Sequence, residues 1–312
     1  MPPRLPSATT ITPACILSLV LCGCGREPAP EALIAGLVTD GRLGEISGLA
    51  ASPVQSNLLW AIDDSGNPAR LYALTRRGQL RASYAVDGIA KTDWEDIAAF
   101  QLDGKSYLLV ADTGDNGGIR KILSLHVFPE PADADHDGHV SPAWSIRFRW
   151  PDGARDCEAV AIDAERGEIL LISKKRQPPQ LFLLPLRPGN GKPDRILTAR
   201  LAGTLAGVPQ ASARERAERP AVARLRSQVT AADIAPGRDA IAVLTYDNLL
   251  IYSRPPGQAW PRTLAHPPRW IVPMPLLPQG EAATWSRDGE GIYASGEFNP
   301  APIFYVTYPR PD

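Results

Sequence analysis

The chain has 312 residues, a mass of 33.6 kDa, 44% hydrophobic and 21% charged residues, and a formal net charge of -1. Those proportions belong to a globular protein, and the near-neutral charge offers no general attraction for nucleic acid or anionic lipid, which argues against a polyanion-binding role. With 32 prolines, 26 glycines and few long apolar periodic runs, the sequence suits many short strands joined by turns better than a helical protein.

At the N-terminus Arg4 precedes an apolar stretch from Ile11 to Leu21, too short to span a bilayer but suited to the core of a secretory signal. The stretch ends in Leu21-Cys22-Gly23-Cys24, which resembles the lipobox of bacterial lipoproteins, where a cysteine receives a diacylglycerol and becomes the mature N-terminus. The resemblance implies a signal peptide over residues 1–23 and lipid on Cys24, with membrane contact through that lipid only. Because Gly25 follows rather than aspartate, it implies the outer membrane of a bacterial cell envelope. The alternative is an ordinary signal peptide cleaved nearby. Residues 24–31 then read as an extended tether. Cys15 and Cys22 leave with the leader and Cys24 is acylated, so Cys157 stands alone and no internal disulfide can form. A lone cysteine on a strand is usually a small buried apolar residue.

Beyond the tether the sequence repeats. Five strand-like segments begin at Glu45, Glu95, Glu158, Thr230 and Glu281. Each is followed by a turn and a β-rich run, namely Leu58 to Ile62, Tyr107 to Ala111, Ile169 to Ser173, Ile241 to Thr245 and Ile292 to Ser295. Third runs follow at Arg70, Ile122, Gln180, Asn248 and Pro302, and fourth runs at Gln79 to Val86, Ser145 to Trp150 and Arg195 to Leu201. This is the pattern of a four-stranded blade, so the expectation is an all-β protein, a β-propeller of five blades over residues 32–312. The fifth repeat lacks a fourth strand while Ala32 to Val38 is left over, so the N-terminal strand is expected to close the last blade and remove an open edge. A sixth blade has room only in residues 187–228. The mixed-charge, proline-broken part of that stretch, about 203–228, reads as an exposed insertion.

Antiparallel order within each blade puts inner-strand starts, second-strand ends and inter-blade connections on one face. That face is expected to collect Glu45, Glu95, Glu158 and Glu281, then Asp63, Asp64, Asp115, Asn116, Lys174 and Lys175, and by the connections Asp93, Asp152 and Asp156. Asp96 and Arg120 are included as ligand-binding candidates. Two carboxylates ~5 Å apart at an effective dielectric of ~20 repel by roughly 3 kcal/mol, so such a crowd needs a cation, raised pKa values or hydrogen-bond donors. Calcium suits hard oxygen ligands without strict geometry. The alternative is that each Glu accepts backbone N–H bonds from the next blade and only ties the ring together.

The run Ile46-Ser-Gly-Leu, Asp63-Asp-Ser-Gly, Asp93-Trp-Glu-Asp, Gly114-Asp-Asn, Asp152-Gly and Asp156-Cys-Glu-Ala resembles a group of secreted bacterial propellers similar to the phytase-like, esterase-like propeller family. The resemblance implies a cluster of acidic residues holding calcium, with Glu45, Asp64, Glu95, Asp115 and Glu158 as metal ligands and Arg120 and Lys174 as partners of a phosphate; Glu281, on the same face, is a further metal candidate. The chain departs from those enzymes in having five blades rather than six and in placing Thr230 where blade 4 would carry a carboxylate.

A second acidic element, Asp133-Ala-Asp135-His-Asp137-Gly138, opens like an EF-hand loop, but Trp144 stands where the bidentate Glu is needed. It belongs on the opposite face. No nucleophile elbow, zinc-protease helix, phosphate loop or mature Cys-x-x-Cys is present. The sequence therefore leaves two functions open. One is an envelope propeller binding a small-molecule or protein ligand with a divalent cation at the acidic mouth. The other is a calcium-assisted hydrolase of phosphoester-like or other ester substrates.

Overall fold

The computed structural model describes residues 28–64, 66–188, 195–277 and 279–309. The expected leader, Cys24 and the start of the tether lie outside the described residues. None of the described helices is long and apolar enough to cross a membrane.

Five sheets form a ring, each with its inner strand toward a common axis. The inner strands are Ile46–Ala51, Trp94–Leu102, Cys157–Asp163, Val229–Ile234 and Gly280–Trp285. The apolar alternation of these short, β-branched and Ala-rich strands leaves them buried on both faces, because each sheet packs against a neighbour on either side. Five hydrophobic clusters fill the five junctions. Trp60, Phe128 and Val110 lie between blades 1 and 2. Tyr72, Ile303 and Tyr293 lie between blades 5 and 1 and complete the circle. The described structure is thus a five-bladed β-propeller.

Ala32–Val38 pairs antiparallel with Ala301–Thr307, from Ala32 opposite Val306 to Val38 opposite Ala301, and is the outer strand of blade 5. Gly36 is required there, since a Cβ would overlap the backbone of Arg77 in the turn between the third and fourth strands of blade 1, and Leu37 N–H donates to Arg77 O at 3.1 Å. The closure therefore clasps two blades.

Two strands depart from the sequence expectation. The run expected as one strand from Arg195 divides: Ile196–Thr198 joins blade 2 in parallel beside Trp144–Arg149, while Arg200–Thr204 becomes the fourth strand of blade 3. Burial of Leu197 and Ala199 against the Phe148 and Trp150 cluster holds the first half on the earlier blade. Gly138–Val140 likewise adds a fifth, parallel strand to blade 1 beside Leu80–Val86. The expected insertion ends in two short helices, Ala213–Glu218, capped by the Ser212 hydroxyl accepting Glu215 N–H at 3.1 Å, and Pro220–Leu225, with proline in its first turn.

Candidate functional site: an acidic cup at one channel mouth

Every inner strand carries a β-bulge at its second residue, where the register slips between Ile46 and Gly48, Trp94 and Asp96, Cys157 and Ala159, Val229 and Ala231, and Gly280 and Ala282. The inserted residues are Ser47, Glu95, Glu158, Thr230 and Glu281. Bulges re-aim a side chain and end regular pairing. This corrects the alignment of blade 1. Ser47, not Glu45, is the equivalent of Glu95, and counting from Ser47 gives Leu58 the spacing that Glu158, Thr230 and Glu281 have to Ile169, Ile241 and Ile292.

The residue after each second strand forms a second ring: Asp64, Thr113, Lys174, Tyr246 and Glu297 follow Asp63, Asp112, Ser173, Thr245 and Gly296, which pair with the residue preceding each bulge. Ser47 Oγ donates to Trp94 O at 2.9 Å, Thr230 Oγ1 to Gly280 O at 2.7 Å and Thr113 Oγ1 to Cys157 O at 2.7 Å. Small hydroxyls therefore tie neighbouring blades at these three places, and the glutamates of the inner ring are left for other work.

Those glutamates form a cup. Asp64, Asp93 and Glu95 offer carboxylate oxygens within 4.8 Å of one another, and so do Glu95, Asp156 and Glu158. Glu95 belongs to both groups. Gly114 lies against it, where any Cβ would overlap Glu95 Oε1 and the Asp93 carboxylate, which explains a glycine in the Gly-Asp-Asn element. Burial pushes Glu95 up to about 11, with Glu158, Asp64 and Asp93 adding repulsion. Burial also raises Glu158 well above the carboxylate range, opposed by Lys174. Glu158 Oε2 is buried without a hydrogen-bond partner.

The far side of the cup is differently built. Lys174 Nζ pairs with Glu158 Oε1 and lies 3.9 Å from Glu281 Oε1 and 5.1 Å from the Tyr246 ring centroid. Burial works against its ammonium, but Glu158, Tyr246 and Glu281 outweigh it and raise its pKa. Tyr246 OH donates to Glu281 Oε1. Burial and a hydrogen bond to Glu281 push Glu297 up to about 8. Tyr246 and Glu297 are absent from the sequence-derived set, although their place directly after the second strand marks both.

Most of the remaining candidates have other occupations. Asp63 is buried, and Lys91 Nζ donates to the carbonyls of Asp63 and Asp64 at 2.8 and 2.7 Å. Asp115 accepts the N–H groups of Ile119 and Arg120 at 2.8 and 3.0 Å, closing its own turn. Arg120 is held by Asp112 Oδ1 and Gly114 O, both at 2.6 Å. Asn116 Oδ1 accepts from Lys175 at 2.8 Å, and Lys175 also meets Asp156 Oδ2 at 2.8 Å. Glu45 is exposed and accepts from Asn67 at 2.8 Å. Asp96 does not reach the mouth; it is fully buried among the inner strands. Asp152 turns outward and pairs with Arg155, whose guanidinium stacks on Trp150 and Phe182.

The Asp133 turn is a clasp between blades. Asp133 accepts Asp135 N–H at 2.8 Å, Asp135 pairs with Arg81 at 2.5 Å, and Asp137 accepts Ser83 N–H at 2.8 Å. The carboxylates of Asp135 and Asp137 are spent on blade 1, and that of Asp133 on its own turn, where it also meets His136 at 2.8 Å. Cys157 is fully buried, donates to Ile172 O at 3.3 Å, and has its thiol pKa pushed up by burial.

No known family matches the chain, and no curated protein matches it. Among solved structures it is similar to one described as "Structure of U3-55K", at 11% identity and a TM-score of 0.40, over 84% of this chain and 68% of that one.

Proposed function

We propose that this protein is an envelope-anchored propeller that binds its ligand at the acidic cup through a divalent cation, with calcium the ion its donors suit. The observation that carries this reading is the pair of carboxylate groups sharing Glu95, with Glu158 Oε2 buried beside them and unpartnered. An all-oxygen donor set of this kind fits a hard cation, and a dication offsets the burial and the added repulsion that otherwise keep protons on Glu95 and Glu158. Asp64, Asp93, Glu95, Asp156 and Glu158 would hold the ion. The address rests on the Leu21-Cys22-Gly23-Cys24 sequence.

Thermal unfolding with calcium and with chelator tests the reading. A bound ion stabilises by RT ln(1 + [L]/Kd), about 2.7 kcal/mol at a hundredfold excess over Kd. Glu95→Gln and Gly114→Ala should each remove that increment, whereas Asp133→Asn with Asp135→Asn should keep it. An increment lost only in the Asp133 and Asp135 variant overturns the assignment.

The second reading, calcium-assisted hydrolysis of phosphoester-like or other esters, is favoured by one feature. Burial and the neighbouring Glu281, which accepts from Tyr246, push Glu297 up to about 8, and a carboxyl raised toward neutrality is the kind of group a hydrolase uses as a general acid. Turnover of generic phosphoester and ester substrates with and without calcium separates the two readings.

A further inference from the structure

Beside the cup a groove of about 1040 Å³ runs along the helix Pro220–Leu225. Its apolar wall includes Pro220, Ala221 and Leu225, and Leu225 is 47% exposed. Its charged residues are Lys175, Arg216 and Arg224, and no acidic side chain is among the described residues that line it. A pocket of one sign of charge beside an apolar wall is complementary to an amphiphilic anion.

The groove is held open by the residues around it. Arg226, just past the helix, pairs with Glu215 at 2.6 Å and with Asp247 of blade 4 at 2.7 Å. Gln177 of blade 3 donates to Ser227 Oγ at 2.9 Å. Both anchors come from turns on the mouth side of the ring, so the helix cannot collapse onto the wall without breaking them. Lys175 reaches from the groove to Asp156 of the cup.

We propose that this groove binds an amphiphilic organic anion, its apolar chain along Pro220–Leu225 and its anionic head among Lys175, Arg216 and Arg224. The site meets the cup through Lys175, which pairs with Asp156, but needs no cation there. The proximity through Lys175 lets one ligand extend from the groove toward the cup.

The test is isothermal titration of the full chain, in chelator, with monomeric laurate below its micellar concentration and with lauryl trimethylammonium as the control of opposite charge. Laurate should bind saturably, one per chain, and the cationic control should not. Ala221→Trp fills the groove from an exposed position, and Arg224→Glu reverses a charge that makes no ion pair among the described residues. Each should weaken laurate about tenfold or more while leaving the circular dichroism unchanged. No binding of laurate, equal binding of the cationic control, or unchanged affinity in both variants overturns the proposal. Because calcium is absent from this titration, its failure is distinguishable from failure of the cup as a cation site.

Discussion

The carboxylate of Asp96, on the inner strand of blade 2, accepts the backbone N–H of Val160, on the inner strand of blade 3, at 2.9 Å. The same oxygen faces Ala232 N of blade 4 at 3.5 Å, and the other accepts Ile97 N–H at 2.8 Å. One side chain thus joins three successive blades at the axis. On the fourth side blade 1 comes so close that a Cβ on Gly48 would lie 2.8 Å from Ile97 N. Asp96→Asn keeps the shape but turns one acceptor oxygen into a donor facing N–H groups. It should destabilise by about 2–4 kcal/mol, nearly as much as Asp96→Ala, because either change leaves buried donors unsatisfied. Urea unfolding reads this directly, and an unchanged midpoint for Asp96→Asn would show that the carboxylate is not the tie.

Lys174 sits among Glu158, Glu281 and Tyr246 as a built-in cation. Lys174→Met removes the charge and leaves buried carboxylates uncompensated, a change expected to cost about 3–5 kcal/mol. Calcium should restore part of the loss, since a dication can take over the neutralising role. Chemical unfolding of the variant with calcium and with chelator checks both halves, and a calcium response no larger than that of the native chain would count against this role.

The acidic cup also predicts a pH dependence. Glu95 at about 11 and Glu297 at about 8 hold protons in the folded state that the unfolded chain releases from about 4.5 upward. The native state then binds more protons than the unfolded one, so these groups make stability fall as pH rises from about 4.5, up to about 8 for Glu297 and about 11 for Glu95. A cation that displaces those protons should bind more tightly as pH rises. The calcium increment in melting temperature should therefore be larger at pH 8 than at pH 5, and a constant increment would exclude proton displacement.

Closure of the ring by Ala32–Val38 can be tested by removal. Deleting residues 32–38 bares the edge of Ala301–Thr307 and should give aggregation or unfolding, read by size-exclusion chromatography. Gly36→Val should move in the same direction, because its side chain collides with the Arg77 backbone. A stable monomer from the deletion would contradict the role of this strand.

The lipid on Cys24 is expected from the leader alone. Intact-mass measurement of the protein from its native host should show cleavage before residue 24 and a diacylglyceryl mass on the new N-terminus. An unmodified cysteine, or a mature chain that begins elsewhere, would exclude it.

Blade number, the order of the first three strands in each blade and the N-terminal closure were legible in the sequence, because each blade is a local unit whose apolar runs and turns recur along the chain. The sequence also pointed to the face where the acidic residues gather, since alternating strand direction places inner-strand starts and second-strand ends together. What it misplaced depends on contacts between blades. Glu45 looked like the head of the first repeat because it is a glutamate before a strand, yet the bulge that aims residues into the channel selects Ser47, and pairing with a neighbouring strand decides where a bulge falls. Asp96 and Asp115 look like ligands by type; only the folded ring shows that their oxygens are taken by N–H groups of Val160 and Ile97 in one case and Ile119 and Arg120 in the other. Tyr246 and Glu297 enter the cup for the converse reason. Residue type did not mark them, and it is the shared axis that brings their blades to Lys174 and Glu281, because side chains distant in sequence meet only when the ring closes.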